Sequence, residues 1–297
     1  MSAKANYLPL KPRRSERVQI RGVDYHVSQW GDERNPLLVY LHGWGDTGST
    51  WQFVVDCLSD RWFVIAPDWR GFGQSEHVGP TYWFPDYLAD LDALLKIYSP
   101  DAGARLVGHS MGANVGGLYA GVMPERVKAF VNVEGFGLAD SDPANAPANY
   151  RRWIEESARM SGYSSYASME ELASRIQKRN PRVSRAHALY VAGEWARRGA
   201  DGVVRLRADP AHRLPNAVQY RRAEALACWD RVEAPVLLVL GAETDFTSAA
   251  KPWIDPDESK HPFRGAPSRS IPGAGHMVHF EAPDLLAAAI DEFLLDL

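Results

Sequence analysis

The feature that most restricts how this chain can fold is the segment Gly108–Gly112, which reads Gly-His-Ser-Met-Gly. It follows a short apolar run, Arg105–Val107, and precedes a run with helical spacing, Ala113–Gly121. Small residues around Ser110 let the backbone bend sharply between strand and helix, so that the hydroxyl stands above the edge of a sheet. The helix N-terminus adds partial positive charge where an oxyanion would form. The pattern predicts a nucleophilic serine; the alternative is a turn whose serine only caps the helix.

Apolar runs typical of strands recur along the chain, and each ends in a loop rich in Gly, Asp or His. They are Val18–Ile20, Tyr25–Gln29, Leu37–Leu41, Trp62–Ala66, Arg105–Val107, Val127–Val133 and Val236–Leu240. Stretches of helical period, such as Phe84–Tyr98, lie between most of the later runs. This alternation predicts an α/β fold, a mostly parallel sheet with helices on both faces. The turn at Arg21-Gly22 predicts an antiparallel edge.

The alternation stops between about Gly135 and Asp230. This region opens with a Pro/Ala/Asp linker, Asp140–Ala148, and contains no convincing strand. Four helical patterns follow the linker: Tyr150–Met160, Met169–Arg179, Val183–Arg197 and Ala217–Cys228. We therefore expect a helical cap, residues 136–230, inserted after the sixth strand of a core that comprises residues 1–135 and 231–297.

Composition excludes several classes of protein. A formal net charge of −4 gives no basic face for nucleic acid. The two cysteines, Cys57 and Cys228, fit buried thiols in a reducing compartment better than a disulfide. Residues Met1 to Glu16 lack the apolar region of a signal peptide, and no apolar run is long enough to span a membrane. We expect a soluble cytoplasmic protein, a monomer or a homodimer, that acts on a small molecule.

A nucleophilic serine needs a base, because its hydroxyl is a poor nucleophile at neutral pH. His276 lies in a Gly-rich loop after a short apolar segment and before a helical run, where an imidazole could reach back to Ser110. The order serine, acid, histidine along the chain also favours His276. The competitor is His279, which we expect at the start of the helix, packed or hydrogen-bonded locally.

The base in turn needs a carboxylate that orients it. Asp245 follows the strand Val236–Leu240 and is the preferred candidate. Glu243 is close by, and we interpret it as a solvated loop charge. Glu134 is the alternative acid, since it ends the strand Val127–Val133, one strand after Ser110. The sequence leaves the choice between Asp245 and Glu134 open.

The segment His42-Gly43-Trp44-Gly45 also ends a strand, and its glycines permit a loop that aims a backbone N–H at a carbonyl oxygen. The second donor in such a site is the N–H after the nucleophile. The amides of Trp44 and Met111 are therefore the predicted oxyanion hole. We expect His42 to be structural.

The same loop, Gly43–Gly48, matches the dinucleotide pattern G-x-G-x-x-G, and Asp68 follows about 20 residues later, where an acid would bind ribose. The spacing around Trp51 indicates, however, that a helix begins only after the glycines. We therefore expect Asp68 to brace its own turn and predict no bound nucleotide cofactor. Motifs for metal ligation or a P-loop are absent from the sequence, so no metal is predicted either.

Together these segments resemble the α/β-hydrolase superfamily from about residue 18 to the end. The resemblance rests on His42–Trp44, Asp68–Ser75, Gly108–Gly112, Asp245, and Gly275-His276 with Phe280–Pro283. Val133–Gly137 and the helical insertion are similar to capped serine hydrolases and esterases of the serine hydrolase-like (Kraken-type) branch. A serine at the elbow distinguishes the chain from haloalkane dehalogenases and epoxide hydrolases, which carry aspartate there.

The expected activity is hydrolysis of a carboxylic ester through an acyl-enzyme on Ser110. The same residues could serve a C–C bond hydrolase, a thioesterase or an acyltransferase, and an inactive ligand-binding scaffold is the alternative from another class. Some aromatic residues of the insertion could line an acyl pocket, but most are expected in the insertion's own core. They are Trp153, Tyr163, Tyr166, Tyr190 and Trp195.

Overall fold

The computed structural model describes residues 6–253, 257, 261–263 and 265–297. Its strands are β1 (Arg14–Ile20), β2 (Val23–Trp30), β3 (Leu37–Leu41), β4 (Phe63–Pro67), β5 (Ala104–His109), β6 (Val127–Val133), β7 (Ala196–Arg198), β8 (Val204–Leu206), β9 (Val236–Gly241) and β10 (Ser268–Ile271). Its α-helices are α1 (Gln52–Cys57), α2 (Phe84–Tyr98), α3 (Met111–Val122), α4 (Ala146–Ala158), α5 (Met169–Arg179), α6 (Arg185–Trp195), α7 (Arg222–Trp229), α8 (Thr247–Ala250), α9 (Val278–Glu281) and α10 (Pro283–Leu295). In the described part of the chain, no helix is both long enough and apolar enough to cross a membrane.

The main sheet has the strand order β1-β2-β4-β3-β5-β6-β9-β10. From β4 to β10 every neighbouring pair is parallel, whereas β1 with β2 and β2 with β4 are antiparallel. The β1–β2 turn has positive φ at Arg21 (50°) and Gly22 (79°), which matches the right-handed twist of a two-residue hairpin. The predicted mostly parallel sheet with an antiparallel edge is confirmed.

Each face of the sheet is covered by helices because side chains alternate along a strand. In β3, Val39 and Leu41 pack on the face covered by α2 and α3, while Leu38 and Tyr40 pack on the face covered by α1 and α10. Successive residues of β3 thus belong alternately to two separate apolar cores, one on each face of the sheet. This confirms the predicted α/β class.

The insertion, residues 136–230, contains the expected helices and one element that the sequence did not indicate. Strands β7 and β8 pair as an antiparallel hairpin, with Ala196 opposite Leu206. Our prediction of no strand here was wrong, because each strand has three residues, too few to show a period of two. The turn that closes the hairpin contains Gly202 at φ 78°, which is the local signal that was missed.

Helix α7 lies on the core although it belongs to the predicted cap. Trp229 at its end is 2% exposed and packs against Trp253 and Phe263 in the core beside α3. A Cβ added to Gly121 of α3 would stand 1.8 Å from the carbonyl oxygen of Cys228. Helices α3 and α7 therefore touch backbone to backbone. The division into core and cap remains a proposal, in which α7 sits on the core side.

We predict that Gly121→Ala lowers the free energy of unfolding by at least about 2 kcal/mol, because the added methyl group must push α7 away from α3. The matched control is Gly193→Ala in α6, where an added Cβ meets nothing within 4 Å. That control should be neutral or stabilising by up to about 1 kcal/mol, since alanine favours a helix interior over glycine. Urea unfolding of both variants measures the difference, and equal effects would contradict the close α3–α7 contact.

Candidate active site

Ser110 alone makes the turn from β5 into α3. Its backbone has φ 52° and ψ −114°, outside the regions that a residue with a side chain normally occupies. The neighbouring glycines allow this turn, because a Cβ on Gly108 would lie 2.5 Å from Ala113 Cα and one on Gly112 would lie 2.2 Å from Leu41 O. The Ser110 side chain makes no capping hydrogen bond to α3. The alternative interpretation, a serine that only caps the helix, therefore does not hold.

His276 lies between β10 and α9 and faces the serine. Its Nε2 stands 3.1 Å from Ser110 Oγ, and its Nδ1 stands 3.0 Å from Glu134 Oε2. A carboxylate oxygen can only accept a hydrogen bond, so Nδ1 carries the proton and Nε2 is left to accept from the serine hydroxyl. The geometry thus joins Ser110, His276 and Glu134 in one line of hydrogen bonds.

Glu134 directly follows β6 with a left-handed φ of 58° and is 2% exposed. Besides His276, its carboxylate accepts from the backbone N–H of Gly241 (2.7 Å to Oε1) and from the Thr244 hydroxyl (2.7 Å to Oε2). Both of these donors belong to the end of β9 and the loop after it. The buried carboxylate is consequently satisfied by three donors, which hold it in one orientation.

Asp245 occupies the expected loop after β9, but its side chain is exposed. In the part of the chain that the structure describes, no hydrogen bond joins Asp245 to His276. His276 Nδ1 is therefore hydrogen-bonded to the alternative acid, Glu134, and not to the preferred Asp245, and the role of Glu134 as the orienting acid is a proposal. The physical reason is that the positive φ of Glu134 and its side chain, longer than that of aspartate, bring its carboxylate to the end of β9. The loop after β9 does not supply the carboxylate; it supplies the Thr244 hydroxyl, which donates to Glu134.

The loop after β3 lies directly against the elbow. A Cβ added to Gly43 would be 2.9 Å from His109 Nδ1 and 3.3 Å from Ser110 Cβ, so only glycine fits. Among the described residues, neither Trp44 N nor Met111 N donates to another group, and Met111, as the first residue of α3, has no acceptor within the helix. The Met111 N–H thus directly follows the serine, and the Trp44 N–H follows Gly43, which lies against it. Their role as an oxyanion hole remains a proposal.

His42 and Asp68 are structural, as predicted. The buried His42 donates from Nδ1 to Gly43 O (2.7 Å) and accepts at Nε2 from Trp69 N–H (2.8 Å). Burial lowers its pKa and keeps it neutral. The Asp68 carboxylate braces its own turn by accepting from Gln74 N (2.8 Å), and it accepts from Gly48 N (2.7 Å) in the loop after β3.

His279 lies in the first turn of α9, as expected, and is fully buried, but its hydrogen-bond partner is Asp46 in the distant loop after β3 rather than a local group or Ser110. Its Nε2 stands 3.0 Å from Asp46 Oδ2, and Asp46 Oδ1 also accepts from Thr50 (2.8 Å) and from the Trp195 indole of α6 (2.7 Å). Burial would raise the pKa of Asp46, but His279 above all, together with the nearby His42 and the Trp195 hydrogen bond, lowers that pKa overall. Asp46 thereby ties the loop after β3 to the insertion.

Asp46, His109 and His279 are also close enough to be considered as metal ligands. Their ligand atoms lie within 4.8 Å of one another, and all three residues are buried. Two of these groups are already hydrogen-bonded to each other, Asp46 and His279, and His109 Nε2 contacts His276 O at 2.8 Å. Sequence reasoning overlooked this cluster because its members lie inside or beside motifs that were assigned to other roles.

Aromatic side chains surround the site. The Phe246 ring lies 4.7 Å from the His276 ring, centre to centre, and its side chain is 48% exposed; Trp44 in the loop after β3 is 53% exposed. In the insertion, Tyr166, Tyr190 and Trp195 pack in an apolar cluster that the insertion shares with Phe53 of α1 and Phe280 of α9, rather than in a core of its own. The two exposed aromatic residues Phe246 and Trp44 belong to the loops after β9 and β3, not to the insertion.

Comparison with known proteins decides the family. A model of the alpha/beta hydrolase fold matches residues 36–283. The chain belongs to the α/β-hydrolase family. The mostly parallel sheet and the strand-turn-helix at Ser110 are those that the resemblance to this family led us to expect.

Individual relatives of this α/β-hydrolase match over nearly the whole chain. A "Serine hydrolase-like protein" of Danio rerio is 26% identical over 273 residues, 89% of this chain and 83% of the relative. A "2-(acetamidomethylene)succinate hydrolase" of Mesorhizobium japonicum is 26% identical over 284 residues, 94% of this chain and 95% of the relative. Among solved structures, a thioesterase domain from the curacin biosynthetic pathway superposes with a TM-score of 0.82 at 24% identity, covering 94% of this chain and 99% of that one.

Proposed function

We propose that this α/β-hydrolase is a serine hydrolase that cleaves a carboxylic ester of a small molecule. The observation that carries the proposal is the line of hydrogen bonds from Ser110 Oγ through His276 to Glu134. Such a line gives the serine a base, and gives the base an orienting carboxylate. A catalytically inactive ligand-binding protein would not require a serine with strained backbone dihedral angles, so the strain at Ser110 supports an active site.

The first half of the reaction forms an acyl-enzyme. Ser110 Oγ bonds to the ester carbonyl carbon while its proton passes to His276 Nε2, and the carbonyl oxygen becomes an oxyanion that accepts from the N–H groups of Trp44 and Met111. The intermediate then expels the alcohol, whose oxygen takes the proton from Nε2. Glu134 stabilises the imidazolium while it lasts.

The second half returns the enzyme to its starting state. A water molecule attacks the acyl carbon and gives its proton to His276 Nε2, and the carboxylic acid leaves as Ser110 Oγ recovers that proton. The names of the relatives support hydrolysis as the class of reaction: one is called a serine hydrolase-like protein, one a succinate-derivative hydrolase and one a thioesterase. Esters, thioesters and acyl transfer to an alcohol share the acyl-enzyme, so a panel of these substrates separates them.

We predict that a fluorophosphonate probe labels the wild-type protein covalently and does not label Ser110→Ala, because the probe requires an activated serine. Intact-mass spectrometry measures the added mass. The control is Ser164→Ala, which replaces an exposed serine of the insertion and should label like the wild type. Equal labelling of Ser110→Ala and the wild type would refute the nucleophile.

We predict that Glu134→Gln lowers kcat/KM for a p-nitrophenyl ester on the order of 10³- to 10⁴-fold, because an amide cannot hold the productive tautomer or stabilise the imidazolium. Asp245→Asn, an exposed change of the same kind, should stay within about twofold of the wild type. A larger loss in Asp245→Asn than in Glu134→Gln would reverse the assignment of the acid.

A further inference from the structure

His109 precedes Ser110 at the elbow and has no part in the reaction proposed above. It is 1% exposed, and its Nε2 lies 2.8 Å from the backbone carbonyl oxygen of His276. The residue before the nucleophile thus contacts the residue that carries the base. Two contacts thus join the elbow to the loop of His276: His109 Nε2 with His276 O, and Ser110 Oγ with His276 Nε2. The two elbow residues that make them are consecutive in the chain.

The contact defines how His109 is protonated. A carbonyl oxygen only accepts, so Nε2 must carry a proton and donate it. Burial holds the pKa of His109 well below its ordinary value, and the neighbouring His279 and His276 lower it further, so the ring stays neutral and Nδ1 has no proton. Among the described residues, Nδ1 accepts no hydrogen bond, and it lies against Gly43 in the loop after β3.

The loop that carries His276 is tied to its surroundings at several points, one of them the hydrogen bond from Glu243 N–H to Ala274 O (2.8 Å). It follows β10, and Gly273 within it has a left-handed φ of 70°. The N–H of the adjacent Gly275 donates to Glu281 (2.6 Å), which ties the loop to α9. The His276 carbonyl oxygen accepts from His109 Nε2–H, and this bond ties the backbone of the base itself to the elbow.

We propose that His109 is a positioning residue: its Nε2–H fixes the backbone of His276, and so the distance from His276 Nε2 to Ser110 Oγ. This inference rests on the proposed function. Its physical basis is that misplacing a reacting group by about 1 Å can slow a reaction about 100-fold.

Two substitutions of nearly equal length test the proposal. His109→Gln can present an amide N–H near the place of Nε2, whereas His109→Met fills similar volume with no donor. We expect kcat/KM for a p-nitrophenyl ester to fall about 100-fold in His109→Met, mostly in kcat, and to be largely restored in His109→Gln. Equal losses in the two variants, or a loss that only follows the folded fraction in thermal unfolding, would overturn the proposal.

Hydrogen exchange gives a second result that does not depend on activity. Amide exchange in the segment 272–277 should become faster in His109→Met and stay near the wild-type rate in His109→Gln, because the anchor of His276 is lost only in the first. Unchanged exchange in His109→Met would refute the anchor even if activity fell. Failure of the proposed function is recognised separately, as a wild-type protein that neither takes the fluorophosphonate nor cleaves any ester.

Discussion

The hydrogen bond between His276 Nδ1 and Glu134 Oε2 determines what the rest of this site can do. It fixes the proton on Nδ1 and turns the Nε2 lone pair toward Ser110 Oγ, 3.1 Å away. The carboxylate keeps its place because Gly241 N–H and the Thr244 hydroxyl donate to it from the neighbouring strand end. A free carboxylate in the same region, such as that of Asp245, would lack this support.

Strand order explains why distant residues meet. Strands β5, β6 and β9 are neighbours and parallel, so their carboxyl ends lie at one edge of the sheet, where ligands bind in open α/β folds. Ser110 and Glu134 each follow one of these strands directly and both adopt positive φ. The sheet holds both residues in this strained geometry, with Ser110 N donating to Val133 O (2.9 Å) and Glu134 N donating to Val239 O (3.0 Å).

The parts of the fold with a clear period were predictable from sequence. Seven of the eight strands of the main sheet, the amphipathic helix α2 and the strand-turn-helix around Ser110 were indicated by the spacing of apolar residues and glycines, and the structure has them. The short, mostly polar strand β10 was not among the predicted apolar runs. The antiparallel edge followed from its turn at Arg21-Gly22. These features are local, so the residues that determine them are neighbours in the chain.

Most of the features that could not be predicted depend on contacts between residues that are far apart in the chain. Glu134 and Asp245 both follow buried strands, and only the backbone dihedrals and the position of Thr244 decide which carboxylate faces His276. The short hairpin β7–β8 has too few residues to show a period. The packing of α7 on α3 depends on Gly121, which looks like any other helix glycine in the sequence.

The central claim is that Glu134 holds the productive tautomer of His276, and proton NMR tests it directly. A histidine Nδ1–H bonded to a buried carboxylate gives a resonance far downfield of the other protons. We expect this signal in the wild-type protein and in Asp245→Asn, and its loss in Glu134→Gln. A signal that persists in Glu134→Gln and disappears in Asp245→Asn would contradict the account.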